Sequence, residues 1–563
     1  MRALQVELRR RSQHSSGWRL SDDRFLSSLA TRILLAAKRR KSRKSESVFF
    51  APFALFCGYS GWKTFACGCV ALGFCLPWVS GAAERPNILF VYTDDQSHRT
   101  LGSYRAEGAH PWVRTPHLDR LAAEGVRFSR AYGASWCAPS RALVLTGLHQ
   151  HAIRGVDLNR DQKSRRPWAT FAAGWDPQRT PMWPSHLRRS GYQTALIGKW
   201  HLGQNAGHGL LWDHSVVWDQ NAAEGDWYNN VSLSIDGEPA REAPGYATHV
   251  YTEFAERFIR RQHDKPWFLW LCYNAPHLPN NTHPDTHRLY TEAEVPTPPD
   301  VFGPREGKPE YMRMLTMFSR DDAGEPRMGT TSLKELVRGY NRLVSTIDEG
   351  VGRLRAALEE TGQLDNTVIV FTSDQGFAWG ERGYAWKVGP YDACIRMPLI
   401  VRYPPAVAAG GVVREPVHLL DVIPTLLSFT QMPEPWPMHG RNLRTVLRDP
   451  TRALGGGVLL EHMLSYFADQ ITTGVTPETG YTRNIPWWLA WVEGDYKYIQ
   501  TLVPDEIDEL YDLAADPEEQ NNLAQQPRHR ERVLQMRANL RRALAASDAG
   551  FLDTLPAPRE PRG

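Results

Sequence analysis

Short apolar runs, each broken off by charged or turn-forming residues, set the frame of this chain. Asn87-Ile88-Leu89-Phe90-Val91-Tyr92 stops at Thr93-Asp94-Asp95, and Thr194-Ala195-Leu196-Ile197-Gly198 stops at Lys199-Trp200-His201. Pro266 to Tyr273 stops at Asn274-Ala275-Pro276-His277, and Thr367 to Thr372 stops at Ser373-Asp374-Gln375-Gly376. Runs of this kind, apolar without alternation, predict strands buried on both faces, as in a parallel sheet covered by helices. Amphipathic stretches lie between them. Thr115 to Gly125 predicts a short helix with Pro near its start and Gly just past its end. Pro184 to Ser190 and Thr252 to Gln262 also read as helical. Leu336, Val337, Tyr340, Leu343, Val344, Ile347, Val351, Leu354 and Leu358 recur at helical spacing within Leu333 to Glu360, predicting one long helix or two in succession. The fold class is α/β, and open α/β sheets bind their ligands beyond the C-terminal ends of the strands.

Those ends carry the candidate chemistry. Two adjacent carboxylates, Asp94 and Asp95, are costly at a buried strand end unless something neutralises them. A divalent cation would do so, and oxygen ligands favour calcium or magnesium; a capped Asp-Asp turn is the plain alternative. Lys199 and His201, two apart, would point to one side of a strand end, or be a solvated lysine and a packed histidine. Cys137 precedes Pro139, where a helix can begin, so residue 137 would lie near a helix N-terminus that favours an anion. A lone cysteine is more often a small buried hydrophobe.

The chain has 563 residues, enough for several domains. The net charge of +4 misleads: residues 1–82 hold 14 basic and 4 acidic side chains, and the rest carries 52 basic and 58 acidic. The body is mildly acidic and gives no nucleic-acid footprint. Cys57, Cys67, Cys69 and Cys75 lie in the leader, leaving Cys137, Cys272 and Cys394; Cys272 and Cys394 could pair or stay free.

Cys137-Ala138-Pro139-Ser140-Arg141, followed by Thr146-Gly147, resembles the C-x-P-S-R signature of the type I sulfatases. Gly198-Lys199-Trp200-His201-Leu202-Gly203 is similar to that family's G-K-W-H-L-G, and Pro276-His277-Leu278-Pro279 to its P-H-x-P turn. Ser373-Asp374-Gln375-Gly376, Lys387 and Arg396-Met397-Pro398-Leu399-Ile400 resemble its S-D-N/H-G, lysine and R-x-P-L-I. Gln375 departs from the usual Asn or His. Its amide oxygen can still ligate a hard cation, on a side chain one methylene longer than asparagine.

The resemblance implies an alkaline-phosphatase-like mixed sheet sandwiched by helices, with a smaller C-terminal α+β domain. It implies a sulfuric ester hydrolase acting on a sulfated carbohydrate, with Cys137 oxidised to formylglycine. Asp94, Asp95, residue 137, Asp374 and Gln375 would surround Ca2+, or Mg2+. Arg141, Lys199 and Lys387 would hold charge, His277 would serve the leaving oxygen, and His201 would take the proton that returns the aldehyde. A formylglycine-generating or anaerobic sulfatase-maturating enzyme is the implied partner. Two alternatives stay open: a formylglycine-dependent phosphonate or phosphodiester hydrolase, and a non-catalytic binder of sulfated glycans if Cys137 is unmodified.

The expected division is a basic extension and signal peptide over 1–82, the catalytic domain over 83–455, and a small antiparallel-sheet domain with a terminal helix over 456–563. Phe65 to Val79 has the length of a signal-peptide core, followed by Ser80-Gly81-Ala82-Ala83. Counted from Met1 the leader is too long for a signal peptide. No methionine follows before Met182, so a non-Met start at Val48 or Leu55 is expected. A cleaved signal predicts a secreted or periplasmic protein; an uncleaved anchor is the alternative.

Overall fold

The computed structural model describes residues 85–157, 174–218, 227–464, 466–471, 484–504 and 506–557, with the backbone of 481–482. The leader, and residues 158–173 of a stretch rich in Arg, Pro and Trp, lie outside the described residues. Residues 81–563 form one compact unit.

The apolar runs are the middle of a ten-stranded sheet. Its strands are β1 (Asn87–Thr93), β2 (Val126–Phe128), β3 (Gln193–Lys199), β4 (His214–Trp218), β5 (Ser232–Ile235), β6 (Arg241–Glu242), β7 (Trp267–Cys272), β8 (Thr367–Ser373), β9 (Leu399–Arg402) and β10 (Gly411–Val413). They lie in the order β10-β2-β9-β8-β1-β7-β3-β4-β5-β6. From β8 to β4 every pairing is parallel, while β9 runs antiparallel to β8. The ends that carry Asp94, Lys199, the turn to His277 and Asp374 therefore open on one edge.

Every residue of β1, β7 and β8 is buried, and alternation sorts the side chains between two cores. Ile88, Phe90, Tyr92, Leu196, Phe268, Trp270, Val368 and Val370 share one face with helices α1 (Cys137–Thr146), α2 (Trp183–Arg189) and α3 (Val422–Phe429). Leu89, Val91, Ala195, Ile197, Leu269, Ile369 and Phe371 share the other with the helices Pro116–Glu124, Ala247–Ile259 and Leu333–Glu360. The last is a single helix of 28 residues, so the apolar spacing from Leu336 to Leu358 belongs to one element. The segment from Phe128 to Tyr132 is split: Val126–Phe128 joins the main sheet and Ala131–Tyr132 a small three-stranded one.

Val458–His462, Trp488–Glu493, Tyr496–Thr501 and Glu509–Asp512 form a four-stranded antiparallel sheet, packed by the helix Arg530–Ala546 through Met536, Leu540 and Leu544. Trp487 and Trp488 are buried there. Cys137, Cys272 and Cys394 are free and buried. Among the described residues no helix is long and apolar enough to cross a membrane.

Candidate active site

Backbone contacts draw the strand ends together. The Asp94 amide donates to the Ala275 carbonyl and the Asp374 amide to the Thr93 carbonyl, which ties β1 to both neighbours just past their ends. Asp95 then turns into the left-handed region at φ 65°, a conformation that costs an L-residue roughly 1–3 kcal/mol. Its amide is held by Asp374 Oδ1 at 2.7 Å. Gly198, next to last in β3, has φ 105°, and a Cβ there would lie 1.9 Å from the Cys272 carbonyl oxygen, so only glycine lets β3 approach β7 and deliver Lys199.

Cys137 opens α1, a helix with every residue buried. Ser140 anchors that helix across the sheet end: its hydroxyl donates to the Asp374 carbonyl at 2.6 Å and accepts from Tyr92. Cys137 Sγ lies 2.8 Å from Lys387 Nζ and 3.9 Å from Asp95 Oδ1. Lys387 Nζ also holds both Asp95 oxygens, at 2.7 and 2.8 Å. Lys199 pairs with Asp94. Arg141 donates to the Lys199 carbonyl at 2.7 Å and lies 3.7 Å from Asp374 Oδ2. Three carboxylates thus face three cations in a shielded space.

The charges shift one another. Burial pushes the Asp94 carboxyl up, but Lys199, His277 and Arg141 outweigh it and hold the group well below its ordinary value. Asp374 is raised well above, by burial first and then by Asp94 and Asp95. The Cys137 thiol is raised by burial and by Asp94, against Lys387; as a bare thiol it is a poor nucleophile. Burial and then Lys387 lower His277 to about 4, against the pull of Asp95 and Asp94. His201, left-handed at φ 66°, is depressed by burial and then by Lys199 and Arg141.

The His277 ring has a fixed pose. Its Nδ1 lies 2.5 Å from the Leu278 carbonyl, so that nitrogen carries the proton and Nε2 faces Asp95 Oδ2 at 3.5 Å. Trp227 stacks on it with centroids 4.6 Å apart. Nothing in the sequence around Trp227 announces this role, nor that of Trp136 and Trp386, whose rings lie 5.0 and 5.7 Å from Lys387 Nζ.

The donor set suits a hard divalent cation. Asp94 Oδ1, Asp374 Oδ2 and Gln375 Oε1 are buried without a hydrogen-bond partner, and buried orphan oxygens at one sheet edge are what an ion would satisfy. One ligand atom each from Asp94, Asp95, Cys137 and His277 lies within 4.8 Å of the others. His277, assigned from sequence to the leaving group alone, stands inside this group. Gln375 Nε2 contacts Asp95 Oδ1 and lies 3.5 Å from Cys137 Sγ, so its longer side chain does reach the cluster.

Cations gathered round a shielded side chain at a helix N-terminus fit a tetrahedral anionic ester. Fold and site together define a hydrolase of the alkaline-phosphatase-like class. The chain belongs to the sulfatase family, whose model matches residues 86–432, and it is a sulfuric ester hydrolase. A second model, for the C-terminal part of N-sulphoglucosamine sulphohydrolase, matches residues 380–546. The chain is 30% identical over 502 residues to an N-acetylglucosamine-6-O-sulfatase of Bacteroides thetaiotaomicron, covering 78% of this chain and 83% of that one. It is 28% identical over 470 residues to a choline-sulfatase of Rhizobium meliloti, covering 79% and 83%. A solved structure in complex with its substrate D-glucosamine-2-N,6-O-disulfate superposes with a TM-score of 0.69 at 26% identity, covering 84% of this chain and 99% of that one.

Proposed function

We propose that this sulfatase removes sulfate from a carbohydrate, with residue 137 working as formylglycine and a divalent cation, calcium first, at the carboxylate cluster. One observation carries the reading: residue 137 begins a buried helix with its side-chain atom 2.8 Å from Lys387 and facing Asp95. A hydroxyl of the hydrated aldehyde at that place would face a sulfate held by Lys199, Lys387 and Arg141.

The residues divide the work. Lys199 and Lys387 offset the charge on the sulfuryl oxygens, in a water-poor site where that charge counts for more than in bulk. Arg141 adds charge and fixes the end of β3 through the Lys199 carbonyl. His277, held by Leu278 and Trp227, presents Nε2 to the departing oxygen; the negative charge of a bound sulfate favours the imidazolium, which hands over its Nε2 proton and keeps the one on Nδ1. His201 takes the proton of the second hydroxyl, so that sulfate leaves and the aldehyde returns. Asp94, Asp95, Asp374 and Gln375 would hold the cation, which when bound polarises a sulfate oxygen and the attacking hydroxyl.

The carbohydrate substrate draws support from the glucosamine derivatives named for two of the relatives. The leader supports export to the periplasm or the medium. A formylglycine-generating or anaerobic sulfatase-maturating enzyme must act on Cys137 before or during folding, since the residue is 1% exposed afterwards. The test is sulfate release from N-acetylglucosamine-6-sulfate, choline sulfate and nitrophenyl sulfate beside turnover of a nitrophenyl phosphodiester. Preference for the sugar sulfate supports the reading. Turnover of the phosphodiester alone refutes it in favour of the phosphonate and phosphodiester alternative.

A further inference from the structure

We propose that Tyr340 is a positioning residue of the cation site, acting through the backbone of Asp95; this rests on the reading that the carboxylate cluster binds a divalent cation. Tyr340 lies in the helix Leu333–Glu360, in a cluster with Leu336, Val337, Val344, Phe377 and Trp379 beside the stripe that packs the sheet, and it is fully buried. Its ring is wedged against Phe377 and Trp379, with centroids 5.5 Å away in each case. Packing alone would be satisfied by phenylalanine. The hydroxyl does something else: it donates to the Asp95 carbonyl and accepts from the Ser97 amide at 3.1 Å.

Those two backbone groups flank Gln96, and the phenol bridges them. It stands in for the backbone bond that would ordinarily close such a turn, and its one proton and an acceptor lone pair are both used. The turn starts at Asp95, whose left-handed φ of 65° is unfavourable for a residue with a Cβ. From the sheet side the same turn is held by Asp374 Oδ1 on the Asp95 amide and by Ser373 Oγ on the Gln96 amide at 2.8 Å. The opposite side has the phenol. With both in place the Asp95 carboxylate faces Cys137, Lys387 and His277; without the phenol the segment can relax to an ordinary conformation, which turns the carboxylate away.

Hydrogen-bonding partners behind a metal ligand typically contribute 10–100-fold to affinity. The experiment is calcium titration by isothermal calorimetry on the purified protein after exhaustive chelation, comparing wild type, Tyr340→Phe and Ser345→Ala. Ser345 lies on the same helix and bonds Tyr290 and the Asn341 carbonyl instead, so it reports a general loss of helix packing. Tyr340→Phe should bind calcium about 10–100-fold more weakly, and Ser345→Ala like wild type. Equal affinity in wild type and Tyr340→Phe overturns the role of Tyr340 and leaves the cation site standing. Equal weakening in both variants also overturns it, as a packing effect. No calcium binding by wild type overturns the cation reading itself, and this proposal with it.

Discussion

Removing the divalent cation should lower the melting temperature, and the cluster sets the size. Asp94, Asp95 and Asp374, like Arg141, Lys199 and Lys387, are at most 1% exposed. Three acidic and three basic side chains meet there, yet Asp94 Oδ1, Asp374 Oδ2 and Gln375 Oε1 accept nothing. A buried unsatisfied polar atom costs about 1–3 kcal/mol, so about 3–9 kcal/mol is open to recovery by an ion that takes all three. The observable part is set by mass action: about 2.7 kcal/mol at a hundred times Kd and about 4.1 kcal/mol at a thousand times. With an unfolding entropy of about 2.1 cal/mol/K per residue, the unit of residues 81–563 changes by about 1 kcal/mol per kelvin. Calcium should therefore raise Tm by about 3–4 °C over the chelated protein. Differential scanning calorimetry of stripped protein, titrated with calcium and then magnesium, measures it. Asp94→Asn should lose the increment and Gln375→Ala only part of it, because an amide does not offset the ion's charge. A Tm unmoved between excess chelator and excess calcium would refute the reasoning. An undiminished increment in Asp94→Asn would place the ion elsewhere.

Two further outcomes follow. His277→Ala should slow a sugar sulfate by roughly 10²–10⁴-fold and nitrophenyl sulfate far less, since a sugar alkoxide needs the proton and a nitrophenolate does not; Lys387→Ala should slow both. The check is kcat/KM on the two substrates, and equal losses in His277→Ala would mark it as a sulfate-binding group. Away from the site, His151 Nδ1 pairs with Glu461 Oε2 at 2.7 Å. Burial opposes both charges, but Glu461 raises the His151 pKa and His151 lowers that of Glu461. The depressed carboxyl contributes stability above its ordinary range that is lost as pH falls through its folded pKa. The raised imidazole contributes below its ordinary range and is lost as pH rises through its own. His151→Gln should therefore cost about 3–5 kcal/mol near pH ~5–6 and less in alkali, read from urea melts across pH; a loss independent of pH would rule out the ion pair.

Much of this was legible because it is written in local pattern. The buried runs ending at Asp94, Lys199 and Asp374 are β1, β3 and β8, and the motif at Cys137 begins a helix. The strand order was not legible: that β1 lies between β7 and β8 depends on long-range pairing that periodicity does not encode. Tyr340 shows the limit clearly. Helical spacing places it with the core, and its ring does pack there, but the bond to Asp95 comes from a loop more than two hundred residues earlier in the chain. The stacking of Trp227 on His277 likewise joins distant segments. Gln375 reads as a departure whose amide oxygen can still ligate; in the structure it is the amide nitrogen that reaches Asp95 and Cys137.

The state of residue 137 decides the central claim. The active protein, produced in a host with a sulfatase-maturating enzyme, should be digested and the peptide containing residue 137 weighed with and without an aldehyde-reactive hydrazide. The account predicts a mass with the thiol replaced by an aldehyde, and an adduct with the hydrazide. An intact cysteine thiol at full occupancy in protein that still releases sulfate would contradict it.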